Sequence, residues 1–270
     1  MAKYAASGDT VLAAFYGITA NSDDLKKSYE LLVKWFIQNG HPPVKISVKS
    51  PGFSGKPISF KIGNQKLKRN GFSNVKYIEI FSLCSVHKNP LIDWTAISSI
   101  SVSRQSYFTM CVRNFDSGIN NTEFIELQNQ IAIILNPHYG FNCEMDHKSG
   151  PQFYAIGLNH HRADEDESNT REEELAVSRW GDIGMEEGVY TNGIIRDVYP
   201  INYLSEFHLK TQIDEQTLHS WISSESSRGT LEAVNKRIFS WKVSPPKIPQ
   251  VRERLWASGI IFNWRSYLSK

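Results

Sequence analysis

Residues 11–48 read VLAAFYGITANSDDLKKSYELLVKWFIQNGHPPVKISV, and the hydrophobic period of this stretch changes twice. Val11 to Ile18 is a short apolar run of the kind that makes a buried strand. Asn21 then offers a capping side chain, and Asp23 and Asp24 put negative charge in a first helical turn, where it meets the positive end of the helix dipole. Leu25, Tyr29, Leu32, Val33 and Phe36 recur on one helical face, while Lys26, Lys27, Glu30 and Lys34 fall away from it. Gly40 and the Pro42-Pro43 pair end the helix, and Val44 to Val48 alternates as a half-buried strand does. The stretch predicts one strand, helix, strand unit.

A second unit of the same order comes later. Tyr107 to Val112 predicts a strand, Asn121 a cap with Glu123 in the first turn, and Phe124, Leu127, Ile131, Ile134 and Leu135 a helical face that ends at Asn136-Pro137. Phe141 to Met145 predicts the return strand. The two units match in order and length without residue identity, so the repeat is architectural. Between them, glycines at 52, 55, 63 and 71 punctuate a basic stretch holding Lys56, Lys61, Lys66, Lys68 and Arg69. That pattern predicts a hairpin with Ile58 to Ile62 as one strand and Gly63-Asn64 or Asn70-Gly71 as its turn. Lys76 to Leu83 and Ile97 to Val102 predict further strands.

Phe153 to Leu158 reads as a short strand, after which the composition changes. Asp164, Glu165, Asp166, Glu167, Glu172, Glu173 and Glu174 crowd a segment that predicts a mobile excursion or an exposed helix start, and the best domain boundary. In Asn192 to Leu204, Val198 and Tyr199 suit a strand, and Pro200 is expected to stop it. Asn202 or Ser205 is expected to cap the turn that follows. Arg196 and Asp197 are neighbours, and neighbours on a strand point to opposite faces, so each needs a partner of its own. The tail is expected to be mainly helical: a helix carrying Leu218, Trp221 and Ile222, one from Gly229-Thr230 carrying Leu231, Val234 and Ile238, and one over Val251 to Ala257. Phe239 to Val243 and Ile260 to Phe262 read as strands.

The fold class expected is therefore α+β: a mixed or antiparallel sheet with two strand-helix-strand units and a helix-rich C-terminal part. The expected division is residues 1–160 as an α+β domain, 161–180 as an acidic mobile segment and 181–270 as the helix-rich part, packed on the same core or beside it.

With 270 residues, 40% of them hydrophobic, the chain can build a proper core. The 7 Trp and 14 Phe are expected mostly inside, Trp180, Trp256 and Trp264 included. No apolar run of signal-peptide length follows Met1-Ala2-Lys3-Tyr4, and no run is long enough to span a membrane, so a soluble cytoplasmic protein is expected. Cys84, Cys111 and Cys143 form no CxxC pair and are expected as reduced thiols.

The net charge of +2 hides a strong asymmetry. Residues 1–110 carry 14 Lys and Arg against 6 Asp and Glu, residues 111–190 carry 5 against 15, and residues 191–270 carry 11 against 7. Such a layout speaks about association and steering rather than fold. No glycine-rich phosphate loop, HExxH or GxSxG occurs, which excludes the common nucleotide-binding, zinc-protease and hydrolase patterns. His160 and His161 beside Asp164 to Asp166 suggest a metal or acid-base site, but adjacent histidines share no helix or strand face, and a site needs rigid support. Neither cofactor nor metal is expected. Phe53, Phe60 and Phe72 among lysines resemble a nucleic-acid surface, yet strand alternation would send the rings inward, so nucleic acid is not the expected partner.

Over residues 10–158, the strand, the Leu25 to Phe36 helix, the basic hairpins and Phe124 to Leu135 leading to Pro137-His138-Tyr139-Gly140 together resemble the cytosolic immunity proteins that accompany bacterial polymorphic toxins and contact-dependent or type VI effectors. The resemblance implies a non-enzymatic protein that neutralises a toxin by covering its active site with a charged surface. The expected contact is Asp164, Glu165, Asp166, Glu167, Glu172, Glu173 and Glu174, presented to another protein. Two alternatives stand beside it. One is a nuclease or other phosphodiester-processing enzyme, which needs carboxylates converging in a concave site. The other is a subunit of a larger assembly, which needs a broad apolar patch.

Overall fold

Thr10–Tyr16 forms β1, and every one of its residues is buried, which requires a sheet covered on both faces. The structure, a computed structural model, describes residues 9–83, 94–113, 121–158, 167–184, 186 and 188–267. The first unit is built as its sequence dictates. Asn21 Oδ1 accepts from the Asp23 and Asp24 N–H groups, and the Asp24 carboxylate accepts from the Asn21 N–H, closing a capping box on α1 (Ser22–Gln38). Leu25, Tyr29, Leu32 and Phe36 are buried as expected, and β2 (Lys45–Lys49) follows.

The expected hairpin over 58–62 is not formed. Only Ile58–Ser59 pairs with β2, as β3, and the chain then turns into α2 (Phe60–Asn70). Phe60, Gly63 and Leu67 stand at helical spacing, and they face the sheet. Gly63 is not a turn residue: a Cβ there would collide with Ile46 Cγ2, so glycine lets the helix backbone lie against β2. β4 (Tyr77–Leu83), β5 (Trp94–Val102) and β6 (Ser106–Arg113) come next. The second unit continues through α3 (Thr122–Leu135), capped by Asn121 Oδ1 on the Phe124 N–H, to β7 (Tyr139–Met145).

The strand expected at Phe153 to Leu158 is instead the helix α4 (Pro151–Ile156). Pro151 opens it after the left-handed Gly150, and Gly157 closes it in the same conformation. The acidic segment divides: residues 161–166 lie outside the described residues, and α5 (Glu167–Ile183) follows. Pro200 starts a strand rather than stopping one. It precedes β8 (Ile201–Ser205), where a missing N–H costs no ladder bond. Asn202 braces the turn before it, not after it, accepting from the Tyr199 N–H and donating to the Tyr199 carbonyl.

The tail carries α6 (Glu206–Leu209), the short β9 (Gln212–Ile213) and β10 (Gln216–Thr217), and α7 (Leu218–Ser223). The helix expected from Gly229 is a hairpin, β11 (Thr230–Ala233) and β12 (Ile238–Lys242), whose turn is tied by Asn235 Oδ1 accepting from the Arg237 and Ile238 N–H groups. Then come α8 (Ile248–Ala257) and α9 (Trp264–Tyr267). The expected edge strand at Ile260 to Phe262 shrinks to one parallel bridge between Ile195 and Ile261.

Among the described residues, ten strands form one sheet in the order β11-β12-β8-β7-β1-β6-β5-β4-β2-β3, and every pair is antiparallel. The α+β class stands, and the C-terminal part adds three strands to the same sheet. Alternation along β1 divides the interior. Val11, Ala13 and Phe15 meet α1, α2 and α3, whereas Leu12, Ala14 and Tyr16 meet α4, α5 and the tail. Among the described residues, no helix is long and apolar enough to cross a membrane.

Candidate functional site

The strand expected at Val198 and Tyr199 is not formed, since residues 196–200 are irregular and β8 begins only at Ile201, but Arg196 and Asp197 are both buried and each has a separate partner. The Arg196 guanidinium lies over the Tyr154 ring at 3.7 Å, with Trp180 and Phe141 at 5.5 and 5.8 Å. Its Nη1 donates to the Tyr154 carbonyl at 2.9 Å and contacts the Tyr16 hydroxyl at 3.4 Å. A planar, weakly hydrated cation suits such a cage; an ammonium would not fill it. Tyr16 Oη donates to the Ala155 carbonyl at 2.6 Å, and burial pushes its phenol up to about 12, against the Arg196 charge. Asp197 accepts from the Val198 N–H at 2.8 Å and pairs with Arg252 of α8. Burial raises the Asp197 carboxyl above its ordinary value, and Arg252 pulls it back. These charges fasten α4, α8 and the 194–199 segment to the sheet.

They also position α5. A Cβ at Gly157 would strike the Gly181 backbone, so α4 and α5 touch main chain to main chain there, and Trp180 packs edge-on against Tyr16 and Tyr139. Glu167, Glu172, Glu173 and Glu174 belong to this helix, whose Trp180 and Ile183 join the core on the side of the sheet opposite α1, α2 and α3. Asp164, Glu165, Asp166, His160 and His161 lie outside the described residues, as does Cys84. Cys111 and Cys143 are buried thiols, both raised by burial. Of the three tryptophans, Trp180 is buried and Trp264 packs against the core, but Trp256 is 45% exposed because Val251 and Leu255 occupy the inner face of α8.

The positive charge gathers at the β2-β3 edge of the sheet. Residues 45–76 hold eight Lys and Arg and no Asp or Glu, and they make up β2, β3, α2 and the loops between. Lys49, Lys56, Lys61, Lys68, Arg69 and Lys76 are exposed. An open depression of about 770 Å³ is sunk into this edge, with Phe53, Val75 and Val102 in its lining and Lys49, Lys76, Ser54, Ser73 and Asn74 around them. Lys66 lies over the Phe53 ring at 4.8 Å and donates to the Gly52 carbonyl; Lys49 lies over the Tyr77 ring at 5.3 Å. Phe72 is buried and Phe60 packs against the core, so of the three phenylalanines only Phe53 reaches the basic depression.

Glu79 was not singled out by the sequence. It stands in a cross-strand row with Ser47, Ser99 and Thr109, where Ser99 Oγ and Thr109 Oγ1 are 2.7 Å apart. Burial pushes its carboxyl up to about 7, against a hydrogen bond from Tyr77 and the charge of Lys49. The signal was present in the alternation Tyr77, Glu79, Phe81, which puts an acid on an aromatic strand face. His208 is buried between Ser205 Oγ at 2.9 Å and the Ile194 carbonyl at 3.2 Å, and burial holds it down at about 4, hence neutral. Among the described residues no three His, Cys, Asp or Glu side chains converge as metal ligands would.

No protein-family model matches the chain, and no curated protein matches it. Among solved structures, the Pseudomonas aeruginosa T6SS protein PA0821 superposes with a TM-score of 0.57 over 92% of this chain and 72% of its own, at 9% sequence identity. At that identity the likeness is one of fold.

Proposed function

We propose that this chain is a non-enzymatic binding protein of type VI secretion, one that neutralises a toxin by covering it with a charged surface. The observation that carries the reading is the separation of charge across the sheet. Helix α5, which holds Glu167, Glu172, Glu173 and Glu174, packs on one face of the sheet, and a stretch of eight cations without one acid lies at the β2-β3 edge. Folding does not require such a separation, whereas complementary charge speeds encounter with a partner and rejects wrong ones. The fold likeness to a T6SS protein supports the setting. The buried ionisable groups Arg196, Asp197 and His208 are each committed to internal bonds, which leaves the surface charges for a partner.

The contact is assigned to Asp164, Glu165, Asp166, Glu167, Glu172, Glu173 and Glu174. The test begins with capture and mass spectrometry of the partner, followed by association kinetics. Association should slow steeply with salt, because exposed charges are screened over about 10 Å at 0.1 M ionic strength. Replacing Asp164, Glu165, Asp166 and Glu167 by Ser should flatten that dependence and leave the melting temperature nearly unchanged. A partner whose binding ignores both salt and those replacements would refute the acidic contact.

A further inference from the structure

We infer that the basic edge is a second docking surface, which takes an acidic segment of another protein and seats one of its apolar side chains in the depression beside Phe53. The inference rests on the reading of the chain as a protein-binding protein, but it concerns a surface that the acidic contact does not use. Three observations carry it. The first is charge: residues 45–76 hold eight cations and no acid, and six of the cations are exposed, so a cationic partner is repelled and an anionic one is drawn in.

The second is the depression itself. Its Phe53, Val75 and Val102 lining with Lys49 and Lys76 alongside has the make-up of an interface centre, apolar inside and polar at the rim. The third is the state of the aromatics. Phe53 already carries Lys66 on its ring, Tyr77 carries Lys49, Phe72 is buried and Phe60 is packed inward. Single-stranded nucleic acid needs open rings on which successive bases stack, and this edge does not offer a run of them.

The probe is a synthetic peptide of alternating Glu and Ser around one central Leu, titrated into the isotope-labelled full chain and followed by amide chemical shifts. Saturable shifts are expected at Lys49, Phe53, Ser73, Asn74 and Lys76. Exchanging the central Leu for Ser should weaken binding, and the double variant Lys49→Glu, Lys76→Glu should weaken it by about tenfold, or 1.4 kcal/mol. Lys49→Gln, Lys76→Gln, which adds no repulsion, serves as the folding-safe variant and should weaken binding less. Replacing Glu172, Glu173 and Glu174 by Ser should leave peptide binding unchanged, which separates this surface from the acidic contact. Shifts scattered over the molecule would overturn the inference, as would peptide binding that ignores the central Leu. Tighter binding of single-stranded DNA would reassign the edge to nucleic acid. Self-association of the chain that the Lys49 and Lys76 variants abolish would reassign it to a second copy.

Discussion

Removing the Arg252 guanidinium, by Arg252→Ala, should expose what the buried Asp197 costs. The Asp197 side chain is 7% exposed and that of Arg252 is 23% exposed, so the pair is shielded on one side and wetted on the other. Breaking a fully buried pair by deleting one partner costs about 3–5 kcal/mol, and the wet flank of Arg252 argues for the lower end, about 3 kcal/mol. For a chain of this length that corresponds to a fall of roughly 6–12 °C in melting temperature. The effect should depend on pH. Burial already raises the Asp197 carboxyl above its ordinary value, and Arg252 is the chief group lowering it, so the variant raises it further. A folded-state pKa above the unfolded one gives stability that is present at low pH and lost as pH rises. The deficit of the variant should therefore be largest at neutral pH and shrink in acid, once Asp197 is protonated in both proteins. Urea unfolding of the two proteins over a pH series measures it, and Asp197→Asn with and without Arg252→Ala closes the double-mutant cycle. A deficit under about 1 kcal/mol, or one equal at all pH values, would show that the Val198 N–H and water suffice for Asp197, against the burial argument.

Gly63→Ala should destabilise despite the better helix propensity of alanine: the gain is up to about 1 kcal/mol, the overpacking against Ile46 costs about 1–3 kcal/mol, and a higher urea midpoint would contradict the close approach. Glu79 has its folded-state carboxyl at about 7, above an unfolded value of about 4.3, so its contribution is complete in acid and is lost as pH rises through about 7. Glu79→Gln should flatten the fall of stability across that window, by at most about 1.4 kcal/mol per pH unit; parallel curves for the two proteins would place the carboxyl in water.

Much of the fold could be read where the physics is local. The Asn21 and Asn121 caps, the helical faces of α1 and α3, and the strands β1, β4 and β6 follow from residues within a few positions of one another, so period and capping chemistry suffice. The need of Arg196 and Asp197 for partners was legible too, since a buried charge must be paired, although the strand expected around them is not formed. What those partners are was not, because Tyr154 and Arg252 lie far off in sequence. Leu231, Val234 and Ile238 fit a helical stripe as well as a hairpin, and the pairing of β12 with β8 decided between them. Gly63 read as a turn residue, and only the nearness of Ile46 made it a contact between helix and sheet. The charge swing along the chain was countable from composition, but its meaning was spatial: α5 and α2 lie on opposite sides of the sheet because alternate residues of the strands feed two different cores. Burial and strand order are sums over distant neighbours, so only the assembled sheet could assign Glu79, Lys49 and Lys76 their surroundings.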